Sequence, residues 1–380
     1  MTKLYLYLSH FPRLDQDLHD GVCKAMHGLA AGLACSGASV TILCEGPGEH
    51  EFRAASGYSV RCFQAPRSRW PFATSPALLR YLQQRESNAP VILNGVFNRK
   101  SNGLARALRR CRIPYIVAPH DPYNPAIFAH NPHLKWPYWY LLERPMLKKA
   151  QAVQILDARH EQHLRRLGVF TPVAVAPNGF EPRDLLPESH LRWRLDGAVR
   201  LLFLGRLSAY NKGLDLLIQA MACTPALKDA SLTIQGPDRG DRHRLQAQAA
   251  RLGIESHVCF LDPEFDRMPT EIISNYDIFC LPSRFEGFGL AALEAMLAAR
   301  VLLVSDSGGI ATHVKASSCG LVTPADTSSI ASALTELVNL RSHWPAMGLR
   351  GRHYASEHLQ WDRIAANLLK QYRRIIPHLL

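Results

Sequence analysis

The stretch YDIFCLPSRFEGFGLAALEAM occupies residues 276–296 and joins three local patterns. Its first eight residues are mostly apolar, which is typical of a buried strand. Gly287 and Gly289 then predict a turn in which the backbone can approach a ligand closely. From about Gly289 onward, apolar residues recur at helical spacing and form one face, made of Leu290, Leu293 and Leu297. A buried strand that leads through a glycine turn into a helix is the building unit of a parallel α/β sheet.

The same alternation of apolar runs and helical patterns extends through the chain in two series. The predicted strands of the first series are 3–10, 38–46, 90–97, 114–120, 150–158 and 171–179. Those of the second series are 199–207, 230–238, 256–262, 276–283, 300–309 and 320–326. Residues 178–190 contain two prolines between the series and are interpreted as a linker. The fold class is therefore predicted to be α/β, with two doubly wound, Rossmann-like domains.

The predicted domains are residues 1–180 and 181–360, and a chain of 380 residues is long enough for two cores. Residues 361–380 form an amphipathic pattern, and this closing helix is expected to pack back on the first domain. Two such domains facing each other would form a cleft, and open α/β sheets bind ligands beyond the carboxyl ends of their strands. A ligand site is therefore expected at that edge of each sheet.

Composition excludes several classes of protein. Apolar residues make up 47% of the chain and charged residues 20%, as in soluble globular proteins. No apolar run reaches the length that spans a bilayer, and residues 1–16 are interpreted as a first strand rather than a signal peptide. The nine cysteines include no Cys-x-x-Cys pair, which predicts reduced thiols in a cytoplasmic protein. No HExxH or compact ligand cluster is present, so no metal is expected.

Positive charge is concentrated in the first half of the chain. Residues 1–180 contain 22 Lys and Arg residues against 11 Asp and Glu residues, whereas residues 181–380 contain 22 against 21. This asymmetry suggests an anionic partner, such as a phosphate-bearing acceptor, an anionic membrane face or RNA. The alternative is a solvated basic surface. Residues 133–150 combine Trp and Tyr with Lys and Arg, which fits either a membrane-surface helix or a helix packed on the sheet.

Two familiar phosphate-binding motifs are missing from the sequence. There is no GxxxxGK[ST] loop, and the first strand does not lead into GxGxxG, so P-loop and NAD chemistry are disfavoured. Gly28, Gly32 and Gly37 lie within or just after a helical pattern and are interpreted as packing residues.

An anion site is predicted instead in the stretch FLGRLSAYNKGLDLLIQAM, residues 203–221. Arg206 and Lys212 lie at a strand-to-helix junction there, where a helix N-terminus adds partial positive charge. Arg can bind two phosphate oxygens at once, and Lys acts as a point charge. The alternative is a pair of exposed surface cations.

Glu286 and Glu294 are two acids in unusual places, one in a Gly-containing turn and one beside the apolar face of a helix. A half-buried carboxylate needs hydrogen-bond donors, and sugar hydroxyls would supply them without adding charge. We therefore expect partners from outside the protein: a ribose for Glu294 and the reacting sugar for Glu286.

These residues resemble the family 4 retaining glycosyltransferases of glycosyltransferase group 1. The resemblance rests on Gly205-Arg206 with Lys212-Gly213 and on the E-x7-E spacing from Glu286 to Glu294, and it covers most of residues 170–360. The segments SDSGGIATHV (305–314) and GLVTPAD (320–326) also match. The first half matches more loosely through Asp20-Gly21, PYIVAPHDPYNP (114–125) and VAPNGF. The resemblance implies the two-domain GT-B fold, with an N-terminal acceptor domain and a C-terminal domain that binds the nucleotide sugar.

The resemblance also implies a role for each residue that matches the family pattern. Arg206 and Lys212 would bind the donor diphosphate and stabilise the departing nucleotide, and Glu294 would bind the ribose. Glu286 would contact the donor sugar, and His120 would project toward that sugar from the first domain. Backbone groups would complete the donor site, namely those of Gly21, Gly287, Phe288, Gly289 and Leu290. No metal or other cofactor is implied, because the nucleotide-diphosphate sugar is a co-substrate.

Three positions depart from the family pattern. Ala299-Arg300 stands where the family usually has Gly-Pro, and His313 lies near the position of a common Glu. Asp20-Gly21 replaces a pair of glycines, which weakens the prediction that Gly21 lies close to the diphosphate. None of these departures removes a residue assigned to the chemistry.

The expected function is retaining transfer of a sugar from the donor to a hydroxyl, with a lipid-linked or polysaccharide acceptor as one hypothesis. The expected location is the cytoplasm, with contact to the inner face of the membrane as a further hypothesis. Three alternatives remain open. The chain could be another enzyme of the same fold, such as a sugar-nucleotide epimerase or phosphorylase. It could be an RNA-binding protein, although no RNA-binding motif appears, or a scaffold without activity.

Overall fold

The computed structural model describes residues 2–12, 20–84, 89–129 and 131–377. The chain divides into two compact units. Unit 1 comprises the residues up to Gly179 together with the chain from Trp361 onward, and unit 2 comprises Phe180–Gln360. The acceptor and donor roles of the two domains stay predictions.

Unit 1 is built on a sheet that has eight strands among the described residues. The strands are β1 (Lys3–Tyr7), β2 (Ser39–Gly46), β3 (His50–Arg53), β4 (Ser59–Gln64), β5 (Val91–Asn94), β6 (Tyr115–Ala118), β7 (Ala152–Ile155) and β8 (Val173–Val175). Their spatial order is β3-β4-β2-β1-β5-β6-β7-β8. All neighbours pair in parallel except β3, which is antiparallel to β4.

Unit 2 contains a parallel sheet, with six strands in the part of the chain that is described. They are β9 (Arg200–Leu204), β10 (Ser231–Gln235), β11 (Val258–Leu261), β12 (Ile278–Leu281), β13 (Val301–Ser305) and β14 (Gly320–Thr323). The spatial order is β11-β10-β9-β12-β13-β14. The chain thus builds one side of the sheet outward from β9 and then returns to build the other side from β12. The prediction of two parallel α/β sheets is confirmed.

Helices connect most of the strands. In unit 1 they are α1 (Gly21–Cys35), α2 (Pro76–Gln83), α3 (Arg99–Arg110), α4 (Pro125–Ala129), α5 (Pro132–Tyr138), α6 (Arg144–Lys149) and α7 (His160–Arg166), with a π-helical turn at Trp139–Glu143. In unit 2 they are α8 (Ala209–Lys212), α9 (Leu214–Ala222), α10 (Arg242–Arg251), α11 (Pro269–Ile273), α12 (Leu290–Leu297), α13 (Ile310–Ser317), α14 (Thr327–Asn339) and α15 (Trp344–His358). Single 3-10 turns occupy 182–184, 188–190, 225–227, 255–257 and 341–343.

A final helix, α16 (Trp361–Ile375), packs against α1 in unit 1. Gly28 and Gly32 allow this contact, because a Cβ atom on either would collide with Trp361. The Tyr372 hydroxyl donates to the Gln154 side chain at 2.6 Å, and α16 joins the same apolar core as β1 and β2. The packing role expected for Gly28 and Gly32 is confirmed. Residues 378–380 of the predicted closing helix lie outside the described residues.

Candidate functional site

The strand order of unit 2 brings the carboxyl ends of β9 and β12 side by side. The connections that follow these two strands run in opposite directions along the sheet, which is the arrangement that opens a ligand crevice in α/β folds. The loop after β9 leads through Arg206 to Lys212, and the loop after β12 runs from Pro282 to Gly289. The two predicted motifs of this half therefore lie at one point of the sheet.

Lys212 and Glu286 form an ion pair across these two loops. Nζ of Lys212 lies 2.6 Å from Oε2 of Glu286, and the side chains are 18% and 15% exposed. The Ser283 hydroxyl donates to the same carboxylate oxygen at 3.2 Å. The Glu286 carboxylate therefore has a partner within the protein, a lysine 74 residues away in the sequence, and its expected contact with a donor sugar stays a prediction.

Arg284 ties the β12 loop to the start of α9. Its guanidinium donates to both carboxylate oxygens of Asp215, at 2.7 and 2.8 Å, and to the carbonyl of Tyr210 at 3.0 Å. The backbone N–H of Phe285 donates to the carbonyl of Asn211. Sequence reasoning missed Arg284 and Asp215, although an Arg inside the motif and an Asp in the first turn of a helix were visible. These bonds fix the backbone on both sides of Lys212.

A third loop, which follows β13, closes on the same motif. The hydroxyls of Ser305 and Ser307 both donate to the carbonyl of Ser283, at 2.6 and 2.7 Å. The N–H groups of Gly309 and Ile310 donate to the carbonyls of Gly287 and Phe288. Helices α12 and α13 consequently begin beside each other at the carboxyl edge of the sheet, with their partially positive ends at the site.

The remaining predicted donor-site residues of unit 2 lie in or beside α12, apart from Arg206. Gly289 precedes the helix with a φ of +102°, and a side chain there would crowd Leu281. Glu294 is buried in the second turn of the helix, with 9% of its surface exposed. The Phe288 side chain belongs to the core, so Phe288 can offer a ligand only its backbone. Arg206 is exposed at the end of β9, whereas Lys212 is largely covered.

His120 lies at the carboxyl edge of the unit 1 sheet, just after β6. Its Nε2 atom is 2.7 Å from Oδ1 of Asn94, whose amide nitrogen donates to the carbonyl of Tyr7. Because this Asn oxygen can only accept, Nε2 carries the proton and Nδ1 is left as an acceptor. Burial lowers the pKa of His120 to about 4, against a smaller opposing effect of Asp20, so the ring is neutral at pH 7. Asn94 was missed by sequence reasoning.

Gly21 is the first residue of α1, at the same edge of unit 1. The carboxylate of Asp20 caps this helix by accepting from the N–H groups of Val22 and Cys23, at 2.8 and 3.3 Å. A protein carboxylate therefore already satisfies two donors of this helix N-terminus.

The departures at residues 299, 300 and 313 have local structural explanations. Ala299 adopts a φ of +53°, and the buried guanidinium of Arg300 donates to the carbonyls of Ala298 and Arg192. This guanidinium also stacks on Trp193 at 4.2 Å, and burial lowers the pKa of Arg300 to about 10. His313 contacts the hydroxyl of Tyr354 at 3.2 Å. Arg300 thus anchors the start of β13 to the segment that enters unit 2.

The described residues contain neither a metal-binding cluster nor a helix able to span a membrane. No group of three or more His, Cys, Asp or Glu side chains within them is arranged to hold a metal ion. None of the helices they form is both long and apolar enough to cross a bilayer.

Comparison with known proteins identifies the class as a glycosyltransferase. Residues 193–353 match the family described as glycosyl transferases group 1, and residues 20–179 match a glycosyl transferase 4-like domain. The chain belongs to the group 1 glycosyltransferases, and its fold is GT-B. The resemblance stated from the motifs is confirmed.

Similar curated proteins are glycosyltransferases. A D-inositol 3-phosphate glycosyltransferase of Nocardia farcinica is 32% identical over 178 residues, which are 45% of this chain and 39% of that protein. A phosphatidyl-myo-inositol mannosyltransferase of Mycobacterium leprae is 29% identical over 229 residues, 59% of each chain. The chain thus spans about two fifths to three fifths of the length of these relatives. These matches do not favour the epimerase, phosphorylase or RNA-binding alternatives.

Solved structures share the fold across nearly the whole chain. Sucrose-phosphate synthase from Thermosynechococcus elongatus superposes with a TM-score of 0.77 at 19% identity, covering 99% of this chain and 100% of that one. Anabaena Alr3699/HepE in complex with UDP and glucose superposes with a TM-score of 0.72 at 16% identity, covering 98% and 100%.

Proposed function

We propose that this protein transfers a sugar, with retention of configuration and without a metal ion, from a nucleoside-diphosphate donor to a hydroxyl group. The observation that carries the proposal is the Lys212–Glu286 pair at the switch point of unit 2, where three loops and two helix N-termini meet. Family membership supports glycosyl transfer, and the solved HepE complex with UDP and glucose supports a nucleotide donor.

On the donor side, Arg206 and Lys212 take the diphosphate. Negative charge grows on this group as it leaves, and cations already in place for that charge are usually the largest catalytic contribution. The same two residues, with the N-termini of α12 and α13, supply the positive charge that a divalent ion supplies in many other transferases. Glu294, buried at the second turn of α12, accepts hydrogen bonds from the ribose hydroxyls.

On the sugar side, Glu286 accepts from sugar hydroxyls while Lys212 holds its carboxylate in place. Neutral His120 offers Nδ1 as an acceptor for another hydroxyl. The bond from the anomeric carbon to the phosphate oxygen breaks, and a bond from that carbon to the acceptor oxygen forms on the same face. The leaving phosphate oxygen takes the acceptor proton, so no separate base is needed and configuration is retained.

A thermal-shift series tests the donor site directly. GDP, UDP, ADP and their sugar conjugates are compared on the wild type, on Glu294→Ala and on Glu336→Ala, a matched control in which an exposed Glu on α14 is removed. A ligand at 100 times its Kd stabilises by about 2.7 kcal/mol. We expect one nucleotide to raise the Tm of the wild type and the control but not of Glu294→Ala. Equal shifts in all three proteins would contradict the ribose assignment.

We further propose that unit 1 meets the acceptor and an anionic membrane face on the cytoplasmic side, with a lipid-linked or polysaccharide acceptor. Along α5 and the π-helical turn, Leu134, Tyr140 and Leu141 are 63%, 57% and 72% exposed, while Trp139 is buried. Lys148 and Lys149 follow at the end of α6. Apolar and basic side chains together suit a membrane surface. The mycobacterial relative is named for phosphatidyl-myo-inositol, a lipid.

Vesicle sedimentation tests this contact. We expect Leu134→Ser with Leu141→Ser to reduce binding to anionic vesicles at low salt by at least about tenfold, because burying even one of the two Leu side chains contributes roughly 1.5–3 kcal/mol. Leu349→Ser is the control, since Leu349 is 52% exposed in unit 2. A wild-type protein that ignores anionic vesicles would end the membrane proposal.

A further inference from the structure

Unit 1 contains a basic cavity that the proposed reaction does not use. Its volume is about 530 Å³, and it lies where α3 and α6 end and where β6 and β7 begin. Three cations line it, namely Arg109, Arg112 and Lys149, together with Tyr115 and Gln151. Volumes of this size are typical of small-molecule sites.

The cavity lies at the opposite edge of the sheet from His120. Residues 113–115 and 149–151 precede the parallel strands β6 and β7, whereas His120 follows β6. The four residues of β6 separate the two edges by about 13 Å. A ligand in this cavity is therefore distinct from one bound at the carboxyl edge, and the inference does not depend on the proposed transferase activity.

The cavity is lined by cations whose charge no acidic side chain of the described residues neutralises. Among the described residues, no acidic side chain lines the cavity and none of its three cations forms an ion pair. The C-terminus of a helix carries partial negative charge, which favours a cation in the last turn. This explains Arg109 and Lys149, which lie in the last turns of α3 and α6. It does not account for Arg112, which lies beyond the end of α3.

Arg112 is held in a conformation that most residues avoid. Its φ is +56°, and its N–H donates to the carbonyl of Arg109 at 3.1 Å. Beside it, the Tyr115 hydroxyl donates to the carbonyl of Met146 at 2.8 Å. Burial raises the pKa of Tyr115 to about 12, so this wall of the cavity adds no negative charge at neutral pH. Three cations thus line one cavity, beside a buried and uncharged tyrosine.

We propose that this cavity binds the phosphate group of a phosphorylated ligand. The guanidinium groups of Arg109 and Arg112 suit paired bonds to phosphate oxygens, and Lys149 adds a point charge. The phosphate is carried either by a soluble phosphorylated molecule or by an anionic lipid headgroup. Both sources present the same chemistry to the cavity.

Calorimetry with inorganic pyrophosphate tests the soluble source. Arg109→Ala with Arg112→Ala is compared with Arg53→Ala and Arg166→Ala, a control that removes two exposed cations elsewhere in unit 1. Lys212→Ala reports separately on the proposed donor site. We expect the cavity variant to lose one binding event with an affinity drop of about tenfold or more, because charge-assisted bonds are lost. The control keeps both events, and Lys212→Ala loses the other one.

Sedimentation with vesicles of phosphatidylcholine, with and without phosphatidic acid, tests the lipid source on the same variants. If the cavity variant loses binding of pyrophosphate alone, the ligand is a soluble phosphorylated molecule. If it loses binding of phosphatidic acid vesicles, the ligand is a lipid headgroup. The proposal is overturned if the cavity variant binds both probes as the wild type does. The proposal is also overturned if the control variant loses as much binding as the cavity variant.

Discussion

Replacing Lys212 with alanine is expected to weaken nucleoside-diphosphate binding and donor turnover by roughly 10- to 150-fold, about 1.5–3 kcal/mol. The lysine supplies the charge nearest Glu286 and is fixed between two tethered loops, so no neighbouring side chain can replace it without moving the backbone. Exposed Arg206, at the end of β9, is expected to show a loss of similar size. The Kd of the nucleotide selected by thermal shift and the rate of nucleotide release from its sugar conjugate measure both effects.

A loss of turnover in Lys212→Ala has to be distinguished from a loss of folded protein. Loss of this largely covered ion pair is expected to reduce the free energy of unfolding by about 1–3 kcal/mol, so chemical unfolding is measured on the variant to establish that it stays folded. Lys228→Ala is the control, because Lys228 is exposed before β10, at the opposite edge of the sheet. Near-wild-type turnover in both Lys212→Ala and Arg206→Ala would refute the diphosphate assignment.

Replacing Gly213 with alanine is expected to destabilise unit 2 by about 2–4 kcal/mol. Gly213 has a φ of +65° between α8 and α9, and an added Cβ would collide with the carbonyl oxygen of Pro282 in the β12 loop. Relief of this collision would push apart the two loops that carry Lys212 and Glu286. Nucleotide binding is therefore expected to fall along with stability, as measured by chemical unfolding and calorimetry.

Gly253→Ala isolates the effect of the collision. Gly253 has nearly the same φ, +69°, also follows a helix, and has open space where the Cβ would lie. The left-handed conformation alone costs about 1–2 kcal/mol. Equal destabilisation by the two substitutions would mean that the approach of Gly213 to Pro282 contributes nothing.

Most of the fold could be predicted because its strands are buried on both faces. Runs such as Ile278–Leu281 and residues 301–304 are apolar throughout, so their pattern is easily recognised. Strands β3 and β4 were missed for the opposite reason. His50–Arg53 is a short, polar edge strand, and Ser59–Gln64 alternates buried with partly exposed residues, so neither stands out from a loop.

The candidate site could be predicted as a set of residues but not as a network. Motif spacing identified Arg206, Lys212, Glu286 and Glu294 because each follows a strand or turn of recognisable type. The bond between Lys212 and Glu286 spans 74 residues and depends on which strands are neighbours, which local pattern does not reveal. The same holds for Asn94, which sets the tautomer of His120 from another strand. The catalytic and binding roles themselves stay predictions.

The packing of α16 against α1 has a consequence for the order in which the chain can fold. Synthesis proceeds from the amino terminus, so all of unit 2 emerges from the ribosome before Trp361 does. Until then α1 presents an uncovered apolar face around Gly28 and Gly32. Unit 2 can therefore complete its core first, although it comes later in the sequence. The core of unit 1 is complete only after α16 has packed against it. Because unit 1 contains both ends of the chain, cleavage at a single position cannot separate the two units.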